Sequence, residues 1–307
     1  MRRRLFLLFV LVAAAGGTSC SSHEVGPTAP GGPDQVTPDD AVKATGARAA
    51  AHAFVDAYAA ATGPDSASLR TLAGTDLLRG WVHWLDVQNR EFPGTITGSV
   101  STNQIGPAAP FSVSSVPGSE AILRQVEVAA TVTFSFDPSA GSPVTVTRSL
   151  DGPMRLILDP KSGWKVLDFT RDGIPLSREF QVVNGATASK DGLRIEVVSF
   201  LSVPYWEFGL VVTDRTSVSV ASKKTALVDA NGNIVAAARA VTSSLDPVAA
   251  GSPVEGIVTF PAQASADGLT LRLVLRVPGA GVTALDIPLK GLIDPVPIST
   301  SSPTPSG

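Results

Sequence analysis

At Gly94 the spacing of apolar residues changes, and the helical spacing does not return. Before Gly94 they recur every three or four positions, the repeat of one helix face. Ala47, Ala50, Phe54, Tyr58 and Ala61 make one such series. Leu77, Leu78, Trp81, Trp84 and Leu85 make another, and with Gln88 mark one broad face of a third helix. Start and stop signals bracket both. Thr37-Pro38-Asp39-Asp40 supplies a cap, a proline suited to the first turn and acids at the positive end of the helix dipole. Gly63-Pro64 ends that helix, a short helix is expected over 66–73, and Gly74 breaks it. Thr75 or Asp76 caps the third helix, which Phe92-Pro93-Gly94 ends.

After Gly94 the period is two, the signature of strands with one buried face. Short strands are predicted over 96–100 and 111–116. A long strand follows, in which Val126, Val128, Ala130, Val132, Phe134 and Phe136 share one parity. Val144–Arg148 and Met154–Leu158 read as its return, with a bulge at Asp151-Gly152-Pro153. The loop Asp159-Pro160-Lys161-Ser162-Gly163 leads to a last strand, Trp164–Phe169. A short linker around Asp172–Glu179 separates a second set of strands. There, Leu193, Ile195 and Val197 alternate with Arg194 and Glu196, and Tyr205–Thr213 is apolar. Ala226–Val235 turns at Asn231-Gly232, a strong hairpin signal. Val254–Phe260, the alternating series Leu269 to Val277, and Val282–Leu289 complete it.

Composition narrows what such a chain does. With 24 Lys+Arg against 27 Asp+Glu and no basic stripe, it is a poor nucleic-acid ligand. Its 307 residues suffice for about two domains. A single cysteine rules out an intramolecular disulfide. That cysteine, Cys20, follows Arg2-Arg3-Arg4, an apolar run of about a dozen residues and the small residues Gly17-Thr18-Ser19. The run is too short to span a bilayer, which needs about 20 residues, and fits a secretion signal. Residues 20–36 are rich in Ser, Gly, Pro and Thr and read as a flexible tether; 295–307 reads as a disordered tail.

Three resemblances follow from these residues. Small residues before a lone cysteine resemble the lipobox of bacterial lipoproteins. This implies cleavage after residue 19 and a diacylglyceryl anchor on Cys20. Gly17 stands where that family usually has Leu, so ordinary signal-peptidase cleavage stays open as an alternative. Helices followed by a long antiparallel meander resemble the cone-shaped nuclear-transport-factor-type fold. The closing hairpin Arg155-Leu156-Ile157-Leu158, turn, Gly163-Trp164-Lys165-Val166-Leu167-Asp168-Phe169 carries most of that likeness. The later strands resemble the immunoglobulin-like domain of secreted bacterial antigens and lipoproteins. Gly192–Val197, Leu227–Gly232 and Gly251–Pro261 carry that likeness, with no Cys…Trp…Cys pattern of the antibody type. The expected fold class is therefore an α+β domain over 37–176, helices on a curved antiparallel sheet, followed by an all-β immunoglobulin-like sandwich over 177–294.

No catalytic or metal-binding constellation stands out, and no cofactor is expected. His23 lies in the tether. His52 with Asp56, and His83 with Asp86, are spaced to share a helix face but are more simply surface pairs. Some enzymes of the cone fold place a carboxylate and a Tyr or His in the pocket; Tyr58, His83 and Asp168 are the candidates that resemblance implies. Tyr58, Trp81, Trp84 and Trp164 are candidate linings of an apolar pocket, though core packing explains them as well. The expectation is a non-enzymatic lipoprotein on the outer face of the cell membrane, secreted if Cys20 is not lipidated. It would act as a binding or scaffold module for an envelope partner. The alternative is a carrier of a small lipophilic ligand, and less favoured is an enzyme of the cone pocket.

Overall fold

The computed structural model describes residues 38–112, 121–214, 218–246, 248–277, 279 and 281–292. The expected signal peptide, Cys20, the tether and the 295–307 tail lie outside them, as does most of the strand expected over 111–116. The chain divides into two compact units, up to Lys43 and from Ala44 on. Of the first, the described residues are helical, with Lys43 Nζ 2.6 Å from Asp39 Oδ2 one turn away.

The chain is a β-rich α+β structure with several antiparallel sheets. Helices come first: α1 (Pro38–Ala60), α2 (Ala67–Leu72) and α3 (Asp76–Glu91). Strands β1 (Gly94–Pro110), β2 (Leu123–Pro138), β3 (Val144–Asp159) and β4 (Gly163–Asp168) form a four-stranded meander in that order. The short β5 (Thr170–Arg171) and β6 (Ile174–Pro175) pair with each other, and α4 (Leu176–Glu179) follows. Beyond them come β7 (Phe180–Lys190), β8 (Leu193–Leu201), β9 (Trp206–Thr213), β10 (Ser219–Val220), β11 (Ala226–Val228) and β12 (Ile234–Ala237). The last are β13 (Ala240–Val241), β14 (Val254–Phe260), β15 (Thr270–Val277) and β16 (Gly281–Pro288). One sheet runs β13-β14-β9-β8-β7; the other runs β10-β15-β11-β12, with β16 on β15.

The helical register holds because apolar side chains on α1 and α3 meet one face of the meander. Phe54, Tyr58, Trp81, Val132, Leu156 and Phe169 are all at most 2% exposed and belong to one core. Thr75 caps α3, its side chain accepting from the Leu78 N–H at 3.2 Å. Where the end of α1 crosses β1, the backbones nearly touch. A Cβ on Gly98 would lie 1.9 Å from the Ala59 carbonyl oxygen, so only glycine fits.

Two local expectations change, and the expected linker takes a definite form. In place of a short strand over 96–100, β1 extends over 17 residues. Irregularities at Val100/Thr102 and Ile105/Ala108 shift its parity and hide the alternation. The bulge expected at Asp151-Gly152-Pro153 is absent: β3 pairs with β2 without a shift from Leu123↔Ile157 to Phe136↔Val144. Pro153 is tolerated because β4 pairs only with Arg155–Asp159, so this stretch serves one ladder instead of two. The expected linker around 172–179 is structured. Asp172 and Gly173, both at positive φ (51° and 80°), make the tight turn between β5 and β6. The Asp172 carboxylate locks that turn to β3, accepting from Ser149 N and Arg148 Nη1, each at 2.9 Å.

A second core lies between the two five-stranded sheets. Ile195, Val197, Trp206, Phe208 and Val258 from one meet Leu227, Leu271, Leu273, Leu275 and Ile287 from the other. Full burial of such side chains is worth about 1.5–3 kcal/mol each. The opposite face of the β13-β14-β9-β8-β7 sheet packs against α3, and its Leu201 and Ile257 belong to the first core. Helix α3 is thus shared: one face fills the meander and the next covers the sheet.

Candidate functional site

The aromatic residues expected to line a pocket are packed against each other and their neighbours. Tyr58 lies 5.4 Å from Trp81 and 5.3 Å from Phe134, ring centre to ring centre. Trp81 lies 5.2 Å from Phe169, and Phe169 lies 5.0 Å from Phe54. Trp164 sits elsewhere, half-buried over Gly46 of α1, where an added Cβ would come within 2.6 Å of its Nε1. Trp84 faces Phe180 at 6.3 Å and borders a void of about 10 Å³ with Val87, Gly209 and Ile257. Tyr58, Trp81 and Trp84 belong to one core cluster, and Trp164 packs against its margin.

The His–Asp pairs are separated. Asp56 accepts from Asn103 Nδ2 at 3.1 Å rather than from His52. Asp86 is 1% exposed and turns inward, accepting from the Ser66 N–H at 2.9 Å and pairing with Arg70, which anchors the start of α2. His83 turns the other way, its Nε2 2.9 Å from Glu255 Oε1 on β14. The carboxylate of Asp168 is occupied: it accepts from Phe169 N at 2.9 Å, Ser177 N at 3.2 Å and Ser177 Oγ at 2.6 Å. That fastens α4 to the end of β4. Tyr58, His83 and Asp168 thus sit in three different environments. Among the described residues no group of three or more His, Cys, Asp or Glu is placed to hold a metal ion.

Six charged residues that the sequence did not single out carry the polar structure. Arg171 and Glu179 are 6% and 3% exposed, with Arg171 Nη2 2.6 Å from Glu179 Oε1. Burial opposes the charge on Arg171, but Glu179, Tyr58 and Asp172 more than offset it and hold the guanidinium protonated. Burial pushes the Glu179 carboxyl up, and Arg171 opposes that rise. The Arg171 guanidinium also stands 5.9 Å from the Trp81 ring, within cation–π range.

Between α3 and the sheet, Glu255 takes both His83 and, at 3.2 Å, Arg90 Nη2. Gln88 Nε2 donates to Glu207 Oε2 at 2.6 Å, and Glu91 accepts from Ser243 Oγ at 2.7 Å and Ser244 N at 3.1 Å. Burial pushes Glu207 up to about 7, with the Gln88 hydrogen bond only partly opposing it. Its proton is therefore held more tightly in the folded chain than in the unfolded one. Stability from this group is complete below the ordinary carboxyl value of 4.5 and declines as pH rises through about 7. The full shift corresponds to about 3 kcal/mol, and partial solvent access reduces it to about 1–2 kcal/mol. Glu207→Gln should therefore melt above the parent at pH 8 and level with it at pH 4. Thermal denaturation at both pH values checks this; a difference independent of pH would show that Glu207 does not titrate in this seam.

A second concavity borders β3, β4 and α4. Pro153 and Arg155 of β3, Asp168 of β4, Thr170 of β5, and Pro175, Ser177 and Arg178 around α4 border a cleft of about 230 Å³. Arg155 stands 5.9 Å from the Phe111 ring. Neither Arg155 nor Arg178 has an ion-pair partner among the described residues. No described helix is long and apolar enough to cross a membrane. Comparison of the chain with family models, curated proteins and solved structures finds no match.

Proposed function

We propose that this chain is an extracytoplasmic lipoprotein, anchored through Cys20 to the outer face of the cell membrane, and that it acts as a non-catalytic binding or scaffold module. In this reading, α1–α3 with the β1–β4 meander form the cone-type α+β domain. The two five-stranded sheets form the immunoglobulin-like sandwich. The observation that carries it is the double engagement of α3. Because the helix packs on the meander and on the outer face of the β13-β14-β9-β8-β7 sheet, and ties Glu207, Glu255 and Ser243 across the seam, the two parts present one continuous surface on a single tether. The side chains best suited to chemistry serve the framework: Asp86 anchors α2, and Asp168 fastens α4. Ile234 and Val235 on the edge strand β12, 68% and 45% exposed, are apolar side chains available to an envelope partner.

Two measurements test the reading. The parent chain should incorporate labelled palmitate and sediment with membranes, and Cys20→Ser should abolish both. Membrane retention of Cys20→Ser would remove the lipid anchor. Photo-crosslinking residues at Ile234, Val235 and other surface positions should then capture a partner in cells. Failure at every position would remove the scaffold role.

A further inference from the structure

We propose that the cleft between β3, β4 and α4 binds a phosphodiester, with Arg155 and Arg178 as its two cationic ligands. Two guanidiniums and one carboxylate border the space, and the carboxylate is already committed. Asp168 points its oxygens at Phe169 N, Ser177 N and Ser177 Oγ, even though Arg155 lies opposite it in the β3–β4 pairing. Arg155 is instead stationed beside the Phe111 ring, and Arg178 projects from the α4 turn with no ion-pair partner among the described residues. Both forks are thus free to donate into a preformed concavity.

Charge and size select the ligand. Two cations and one anion leave a surplus of a single positive charge, which suits a monoanion. A phosphodiester carries one charge spread over two splayed non-bridging oxygens, so each can accept from a different guanidinium. At about 230 Å³ the cleft is smaller than a drug-sized pocket and takes a headgroup, not an acyl chain. The hydroxyls of Thr170 and Ser177 and the faces of Pro153 and Pro175 suit the small polar body to which the phosphoryl is attached. The shared chemistry is a phosphodiester on a small polyol, whether free or displayed as a lipid headgroup.

The test uses the full chain carrying Cys20→Ser, and glycerophosphoglycerol as the probe. Isothermal titration should give a sub-millimolar affinity that falls at least tenfold in Arg155→Gln and in Arg178→Gln, with melting temperatures unchanged. Sedimentation with vesicles containing phosphatidylglycerol, again lost in both variants, would assign the ligand to a lipid headgroup. Binding of the soluble diester without vesicle association would assign it to a free ligand; either outcome supports the site. Absence of binding, binding indifferent to both substitutions, or equal affinity for glycerate, which has a carboxylate in place of the phosphodiester, would overturn it.

Discussion

Glu179→Ala is expected to lower the melting temperature by roughly 10 °C, more than any exposed substitution in the chain. Removing Glu179 leaves the Arg171 guanidinium, 6% exposed, buried without its counter-charge. Breaking a buried pair by deleting one partner costs about 3–5 kcal/mol, and a chain of this size loses about 2–4 °C per kcal/mol. The position adds to the effect. The Glu179 carbonyl accepts from Ser202 N at 2.8 Å, a backbone bond that alanine keeps, so the added cost comes from the side chain. Its side chain holds β5, and β5 carries Arg171 against Trp81. Glu179→Gln keeps a neutral acceptor and should cost less. The double change Arg171→Met, Glu179→Leu removes both charges with little loss of volume and should recover most of the stability. Calorimetry of the three variants separates charge from packing. A double variant as unstable as Glu179→Ala would mean that shape, and not the unpaired cation, sets the cost.

The elements with strong local signals were legible in the sequence. Thr75 and the Leu78–Trp81–Trp84–Leu85 face placed α3, because a cap and an apolar stripe are both written within one turn or two. The Asn231-Gly232 turn placed the β11–β12 hairpin for the same reason. Elements whose signal depends on a partner strand were misread. The irregularities in β1 invert its alternation at Val100/Thr102, so a continuous strand looks like fragments. The tolerance of Pro153 depends on where β4 stops, which β3 does not encode. Asp172-Gly173 did carry a turn signature, but two-residue strands on either side are too short for any periodicity to flag them.

The candidate polar residues were less legible for a related reason. Glu207 sits at a polar position between Trp206 and Phe208, the pattern of a strand with one face in water. Only the docking of α3 covers that face, and this requires two segments far apart in sequence. His83 and Asp86 illustrate the converse. Helical spacing put them on neighbouring positions, yet one side chain reaches β14 and the other turns inward to anchor α2. Arg155 and Arg178 lie in different elements, and nothing local to either reveals that β3, β4 and α4 enclose a cleft between them.

Trp81→Ala is expected to cost about 3–5 kcal/mol, comparable to the loss at Glu179, and its size decides what the aromatic cluster is for. Trp81 is 0% exposed and touches Tyr58, Phe169 and the Arg171 guanidinium. A side chain packed on all sides contributes its transfer energy and leaves a cavity when removed, and both terms appear in the measured loss. A side chain that walls an existing pocket already borders empty space, so truncation enlarges the pocket and costs far less. The two roles therefore predict different numbers for the same substitution. With the indole removed, a cavity bordered by Tyr58, Phe169 and the Arg171 guanidinium should accept indole or benzene from solution. That would raise the melting temperature of Trp81→Ala and leave the parent unaffected. A parent chain that is itself stabilised by such apolar probes, together with a loss below about 1 kcal/mol on truncation, would shift the reading from packed core to lipophilic carrier. The ring contacts in the cluster, 5.0–5.4 Å between centres, are those of a filled interior. On that geometry the substitution should be costly and the parent indifferent to the probes.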